Sequence, residues 1–501
     1  MALDPQDRPP AQAAGLKAPP SHARVAFLFV RALGAIHAIA FASLGVQVEG
    51  LVGSRGILPA SELLELLRAQ TGAERYWLVP TVFWLGASDA ALRGVCWLGA
   101  SLGGLLALGI APGPLLVALW ALYLSLSSVG QAFLGYQWDG LLLETTLLAV
   151  LLAPWGLRPR PREPNAPALW LLRFLLFRLM LASGVAKLAS GDPTWRSLTA
   201  LTFHYETQPL PTWVGWYAHQ LPPWVQKLSC ASMFAVELLV PFLALGPRRA
   251  RLLGFAPLVG LQLLIAATGN YTFFNLLSIA LCLLLLDDAV PWRGSSAPER
   301  SPVPRPAAAW AWRAGALVLC LLALVPFVGS FARVPWPGPL VNLYRLVAPF
   351  RSFNPYGLFA VMTTERPEIL VEGSRDGVEW RPYAFRYKPG DPRRAPAFVA
   401  PHQPRLDWQM WFAALRGSCE GAPWFHRFAE RLEEGSPPVL ALLDGNPFPE
   451  GPPARIRARL QDYRFTRWEE RERTGAYWRV TDKGLFCPDL PVGAGAPALQ
   501  E

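Results

Sequence analysis

Nine apolar runs decide most of what this chain can fold into. They cover roughly residues 25–46, 91–111, 114–130, 139–155, 169–189, 228–246, 251–268, 271–286 and 312–331. A helix needs about 20 apolar residues to cross about 30 Å of hydrocarbon. Inside that layer only helices and closed barrels satisfy their own backbone. Shorter runs are completed by flanking residues or buried among neighbours. The expected fold class is a multi-span α-helical membrane bundle of about nine helices, over 23–332. A soluble α+β, β-rich C-terminal domain follows over 333–488. The Pro-, Ala- and Gln-rich segment 1–22 is expected to be disordered, and 489–501 to be a flexible tail.

The chain is 52% hydrophobic and 16% charged, against about 25% charge for a soluble domain. Its formal charge of +10 does not point to nucleic acid, because no basic stripe with interleaved aromatics lies on a soluble segment. The arginines instead cluster between runs, as membrane orientation requires. With the amino terminus cytoplasmic, the inside segments hold Arg24, then Arg158, Arg160 and Arg162, then Arg248, Arg249 and Arg251, then Arg293, Arg300 and Arg305. Outside connections carry fewer for their length. Nine spans then put everything after about residue 333 outside, in a periplasm or lumen. Trp195, Trp213, Trp216 and Trp224 are expected in the interfacial aromatic belt.

The tail reads as alternating elements. "PEILVEGSRDGVEWRPYAFRY" is a hairpin around "SRDG", and "RLDWQMWFAALR" is a helix with Leu406, Met410 and Trp411 on one face. "PWFHRFAERLEEG" is framed by Pro and Gly as a helix, and "ARIRARLQDYRFT" is a strand. A domain of about 150 residues is large enough to have its own core. Cys96, Cys230, Cys282 and Cys320 fall in apolar runs and read as small hydrophobes. Cys419 and Cys487 lie in the tail and form a disulfide if the compartment is oxidising. Without CxxC or Cys/His spacing, no metal and no cofactor is expected.

Ionisable groups at membrane depth are costly unless paired, and so mark either helix-to-helix clamps or function. Three polar groups of residues stand out: "GYQWDGLLLETT", "GVAKLASGDPTWRSLTALTFHYETQP" and "GNYTFFN". Asp192-Pro193 reads as a capped helix start. Glu144 and Glu237 have Lys187, Arg173 and Arg178 as candidate partners. His204 and Glu206, two apart in "TFHYETQPLP", point the same way if the stretch is extended. That pair is either a proton-exchanging site or a clamp. The stretch is expected to fold back against the outer mouth of the bundle. No HExxH or P-loop pattern occurs.

"FHYETQPLP", "YQWDGLLLE", "VELLVPF" and "GNYTFFNLLSIALCLLLLDD" resemble the lipase maturation factor family. So do "NPYGLFAVMTTERPEILVEG", "FRYKPGDPRR" and "PRLDWQMWFAAL" in the tail. The resemblance covers about residues 25–487. It implies a folding factor that helps secreted lipases reach activity, with membrane lipid and a client protein as partners and a C-terminal domain facing the lumen. The matching membrane residues are Trp138, Asp139, Glu144, Lys187, Trp195, His204, Tyr205, Glu206, Gln208, Pro209, Glu237, Asn270 and Asn275. In the tail they are Tyr356, Gly357, Arg366, Glu372, Lys388, Gly390, Asp391, Arg405, Asp407, Trp408 and Trp411. The animal proteins have longer tails and more lumenal cysteines. The Ala-, Arg- and Pro-rich composition suggests a bacterial inner membrane, the endoplasmic reticulum being the eukaryotic equivalent.

The membrane half is also distantly similar to vitamin K-dependent carboxylase-like membrane domains, where a lysine acts as base. Lys187 is its counterpart here. This keeps an enzyme alternative open, one modifying a lipid or a secreted protein. That alternative expects Lys187, His204 and Glu206 to meet Asp139 or Glu144 around one cavity.

Overall fold

The computed structural model describes residues 21–290 and 306–490. The segment expected to be disordered at 1–22 and the tail expected at 489–501 fall almost wholly outside these described residues. Five apolar helices come first: α1 (Ala23–Gly45), α2 (Asp89–Ala107), α3 (Pro112–Val129), α4 (Gln137–Leu152) and α5 (Ala166–Ala189). Two short helices follow, α6 (Leu201–Thr207) and α7 (Trp213–His219). Then come α8 (Pro223–Ala244), α9 (Arg248–Thr268), α10 (Phe274–Leu283) and α11 (Pro306–Gly329). Seven of these, all but α4, α6, α7 and α10, are long and apolar enough to cross a membrane. With α4 and α10 they occupy all nine runs, so the protein is a multi-pass membrane protein.

Local chemistry sets the ends. Ser88 caps α2 by accepting from Ala91 N at 3.2 Å. Proline opens α3, α5 and α8. Pro241, which has no N–H to give the Glu237 carbonyl, breaks α8 at Leu239.

The connections gather at two ends. At one end, loops 46–88, 130–136, 190–222 and 269–273 all touch the C-terminal region. Ser436 Oγ donates to Arg55 O at 2.7 Å, and Asn270 Nδ2 to Ala397 O at 2.8 Å. At the opposite end, Ser21 Oγ donates to Glu163 at 2.6 Å and Ala111 N to Leu157 O at 2.8 Å. There Asp288 caps α1 by accepting from Arg24 N and Val25 N at 3.1 and 3.0 Å.

The C-terminal region contains α12 (Gly338–Val347), β1 (Pro367–Ser374), β2 (Arg381–Pro382), α13 (Arg405–Ala414), α14 (Pro423–Glu433), β3 (Arg455–Phe465) and β4 (Trp478–Leu490). The strands form one antiparallel sheet in the order β2-β1-β3-β4, with Ile369 opposite Leu460 and Glu372 opposite Arg457. The hairpin around "SRDG" and both helices lie where the sequence places them. The core differs from the expectation of a separate one. A single buried apolar cluster runs from Phe29 in α1 to Phe486 in β4. The belt expectation also needs correction. Trp195 and Trp216 are buried inside the protein, while Trp213 and Trp224 are exposed.

α1 and α2 cross so closely that only small residues fit between them. A Cβ on Gly34 would lie 2.5 Å from Ala107 N, and one on Gly103 would lie 2.6 Å from Ala38 N. Small residues at such crossings let two backbones pack where no hydrophobic effect drives them together. Neighbouring Gly104 has open space. Gly103→Ala should therefore lower stability by about 1–3 kcal/mol through overpacking, read as a drop in thermal midpoint in detergent. Gly104→Ala should cause no drop.

Candidate functional site

The stretch at 202–211 lies at the seam between bundle and C-terminal region. Its first half is helical, not extended, because α6 runs to Thr207. Gln208 precedes Pro209 and is pushed to extended backbone (ψ 154°), which ends the helix. Two helical steps rotate a side chain by about 200°, so His204 and Glu206 point to opposite sides. Glu206 faces the sheet, accepting from Phe465 N at 2.8 Å and Arg464 Nη1 at 3.2 Å. Burial raises its carboxyl above the usual range, against the pull of those two donors. The carbonyls released by the helix end are taken by Arg366. It donates to Glu206 O and Pro209 O at 2.8 Å each, and also to Gln208 O. Trp411 Nε1 adds a bond to Thr207 O at 2.9 Å.

Four further joints tie the halves together. Arg405 of α13 grips Asp139 of α4 with two bonds of 3.0 and 2.8 Å. Tyr123 OH donates to the same carboxylate at 2.5 Å, and Phe133 O accepts from Arg405 at 2.5 Å. Glu144 pairs with Arg178 within the bundle and accepts from Tyr356 OH at 2.7 Å. Asn270 holds the 397–400 segment, donating to Ala397 O at 2.8 Å and accepting from Val399 N at 2.7 Å. Its side chain is thereby consumed, so the "NYT" sequon is a structural feature. Trp138 Nε1 donates to Gln403 Oε1 at 2.8 Å and its ring meets Trp408 edge-on at 4.7 Å.

Lys187 pairs with Glu237, not with Glu144, at 2.8 Å. Arg173 donates to Leu284 O instead of a carboxylate. Asp192 caps its turn through Thr194 N at 2.7 Å and also holds Met362 N at 2.6 Å. Gln208 donates to Thr268 O at 2.8 Å and accepts from Tyr271 OH at 2.9 Å. Asn275 donates to Gln262 Oε1 at 2.9 Å. In the C-terminal region, Lys388 pairs with Glu368 at 2.9 Å and Glu372 with Arg457 at 2.9 Å. Asp407 accepts from Tyr387 N and Lys388 N at 3.0 and 2.9 Å, and burial pushes it up to about 6. Exposed Asp391 forms a local turn with Arg393 N. Cys419 and Cys487 are bonded, with Cα atoms 5.4 Å apart. His426 lies beside them, but two bonded sulfurs offer no thiolate to a metal.

Two concavities flank this seam. One, of about 520 Å³, lies among α5, α6, α8 and α9 and is lined by Lys187, His204, Tyr205 and Glu237. The other, of about 600 Å³, is a groove on the sheet lined by Ile369, Leu370, Tyr383, Phe385, Tyr463 and Val480. Asp391, Arg394 and Asp444 stand at its edge. The five groups expected to converge do not. Lys187 and His204 share the first cavity, whereas Glu206, Asp139 and Glu144 each turn to a different partner. Tyr123, Gln262, Tyr271 and Arg464 were missed. A polar residue within an apolar run is a readable signal for Tyr123 and Gln262; Arg464 carried none.

Two family models match the chain: the lipase maturation factor transmembrane domain over residues 24–292 and the lipase maturation factor C-terminal domain over 352–488. Lipase maturation factor 2 of Homo sapiens is 36% identical, covering 93% of this chain and 82% of that protein. Lipase maturation factor 2 of Gallus gallus is 37% identical, covering 93% and 81%. Lipase maturation factor 1 of Bos taurus is 33% identical, covering 98% and 94%. No solved structure matches the chain.

Removing one partner of a buried pair leaves a bare charge, at a cost of about 3–5 kcal/mol. Asp139→Asn should lower the thermal midpoint accordingly, and Asp139→Leu with Arg405→Met should recover part of the loss. A second expectation concerns acid. Burial, helped by Arg405 and Arg386, holds the His402 imidazole down at about 4, against an ordinary value of about 6.5. Its contribution is complete above pH 6.5 and is lost as pH falls toward 4, because the unfolded chain takes the proton first. His402→Gln should therefore lose less stability than the wild type over that interval, measured as midpoint against pH.

Proposed function

The chain belongs to the lipase maturation factor family, and on that premise we propose that it assists the folding of an exported client. The client is a lipase, by the name its relatives carry. The observation that carries this reading is the groove of about 600 Å³ on the C-terminal sheet. It sets apolar side chains beside the Glu368–Lys388 pair and a charged edge, the mix of apolar centre and polar rim by which proteins hold protein partners. The groove-bearing unit, 333–488, is fixed to the bundle by Asp139–Arg405 and Arg366. A client held there stays at a set height above the membrane.

The C-terminal unit lies on the exoplasmic side and the amino terminus on the cytoplasmic side. Support comes from the arginines at the opposite end, Arg158, Arg160, Arg162, Arg248 and Arg249, and from the Cys419–Cys487 bond. The composition favours a bacterial inner membrane.

A host secreting a lipase provides the test, read as activity per secreted lipase molecule. The intact protein should raise it, and Leu370→Glu on the groove floor should remove most of the gain at equal protein level. Val378→Glu, at a position 83% exposed and away from the groove, should keep the gain. So should Glu206→Gln, whose side chain serves the seam. An absent gain with the intact protein would sink the reading for that client. Orientation is checked separately: alkaline phosphatase fused to the carboxy terminus should be active, and fused after Arg160 inactive.

A further inference from the structure

We infer that the cavity among α5, α6, α8 and α9 is a binding site for an uncharged membrane lipid with an acyl chain and a free hydroxyl head. This inference stands on the cavity alone, independently of the maturation reading. Its volume of about 520 Å³ falls within the roughly 300–1,000 Å³ typical of small-molecule sites.

Most of the wall is aliphatic. Leu179 comes from α5, Met233 from α8, and Leu261 and Ile265 from α9. The rim includes Leu264, 67% exposed, and Leu221, 43% exposed. Leu264 lies on α9, where a spanning helix faces lipid, and Leu221 lies in the turn that leads into α8. The cavity therefore opens sideways into the bilayer, in the half nearer the C-terminal region, since α9 ends there at Thr268. An entrance of that kind admits an acyl chain and excludes a water-borne solute.

The polar end of the cavity specifies the head. Lys187 spends its three protons on Ser183 O, Glu237 Oε1 and Glu237 Oε2 at 3.2, 3.0 and 2.8 Å. That pair is neutral overall, so it neither attracts a phosphate nor needs one. His204 is different. Gln208 Nε2 donates to two backbone carbonyls, so its Oε1 is the acceptor for Tyr271 OH at 2.9 Å. Tyr271 has then given its only proton. His204 Nε2, 3.3 Å from the same oxygen, must be the N–H that donates to it. The neutral ring then leaves Nδ1 as a bare acceptor, and this buried atom has no partner among the described residues. An unmade hydrogen bond at a buried acceptor costs about 1–3 kcal/mol. A ligand that relieves it must donate a proton, as an alcohol does and an ester or ether cannot. A monoacylglycerol carries both the chain and the hydroxyl.

The test places the purified full-length protein in phosphatidylcholine nanodiscs with a monoacylglycerol bearing a diazirine in its chain. Photolabelled residues are mapped, with α11 around outward-facing Leu317 (59% exposed) as lipid background. The expected result is labelling of Met233, Leu261 and Ile265 at least fivefold above that background. Met233→Trp and Ile265→Trp fill the cavity from opposite walls, and each folded variant, checked by thermal midpoint, should fall to background. Unlabelled monoolein should compete about fivefold better than its di-O-methyl ether, and His204→Phe should erase that difference. Cavity labelling at background level, or unchanged in both filled variants, would overturn the site. Equal competition by alcohol and ether in the wild type would overturn the hydroxyl assignment.

Discussion

The paired bonds between Asp139 and Arg405 are the contact on which the joining of the two halves depends. Taking a lone carboxylate or guanidinium out of water costs several kcal/mol per ion. Among the described residues neither forms a second ion pair, so each depends on the other and holds α4 against α13. Tyr123 OH and Phe133 O add further bonds to the pair. The same logic recurs where Tyr356 caps the Glu144–Arg178 pair. Each joint is a charge or dipole that one half buries and the other half completes. The halves therefore share one core, and the C-terminal sheet is held at a set position over the bundle.

The polar stretch at 202–211 has its place in the same scheme. Pro209 stops a helix against the seam and leaves carbonyls that no water reaches. Arg366 takes three of them. Glu206 then turns outward to the sheet while His204 turns inward to the cavity. One short helix thus borders the cavity on one side and bonds to the sheet on the other, and its two ionisable side chains serve different neighbours. This is why a chemistry-like sequence does not gather into one reacting centre. What it provides is a fixed joint between the bundle and the sheet.

Much of this was readable in advance, for physical reasons. Apolar runs near membrane length leave the backbone few choices, and all nine helices lie where the runs do. Pro–Gly framing located α14, and alternation located β3. Pairings were less readable. Glu144 and Glu237 had three candidate cations, and choosing Arg178 and Lys187 required knowing which faces of α4, α5 and α8 meet. His204 and Glu206 looked like neighbours because spacing of two implies one face only on an extended strand. A following proline made a short helix just as compatible with the residues.

The residues by themselves determined a multi-span helical bundle, the main strands and helices of the tail, and the presence of charges that needed partners. Those features rest on periodicity and composition, which act over short stretches of chain. Tertiary structure alone decided that Arg405 reaches Asp139 across 266 residues, and that His204 lines a cavity with its Nδ1 unpartnered among the described residues. Both follow from how α5, α6, α8, α9 and α13 are set against one another. That arrangement is a compromise among many weak packing contacts and a few costly charges, and no local pattern encodes it.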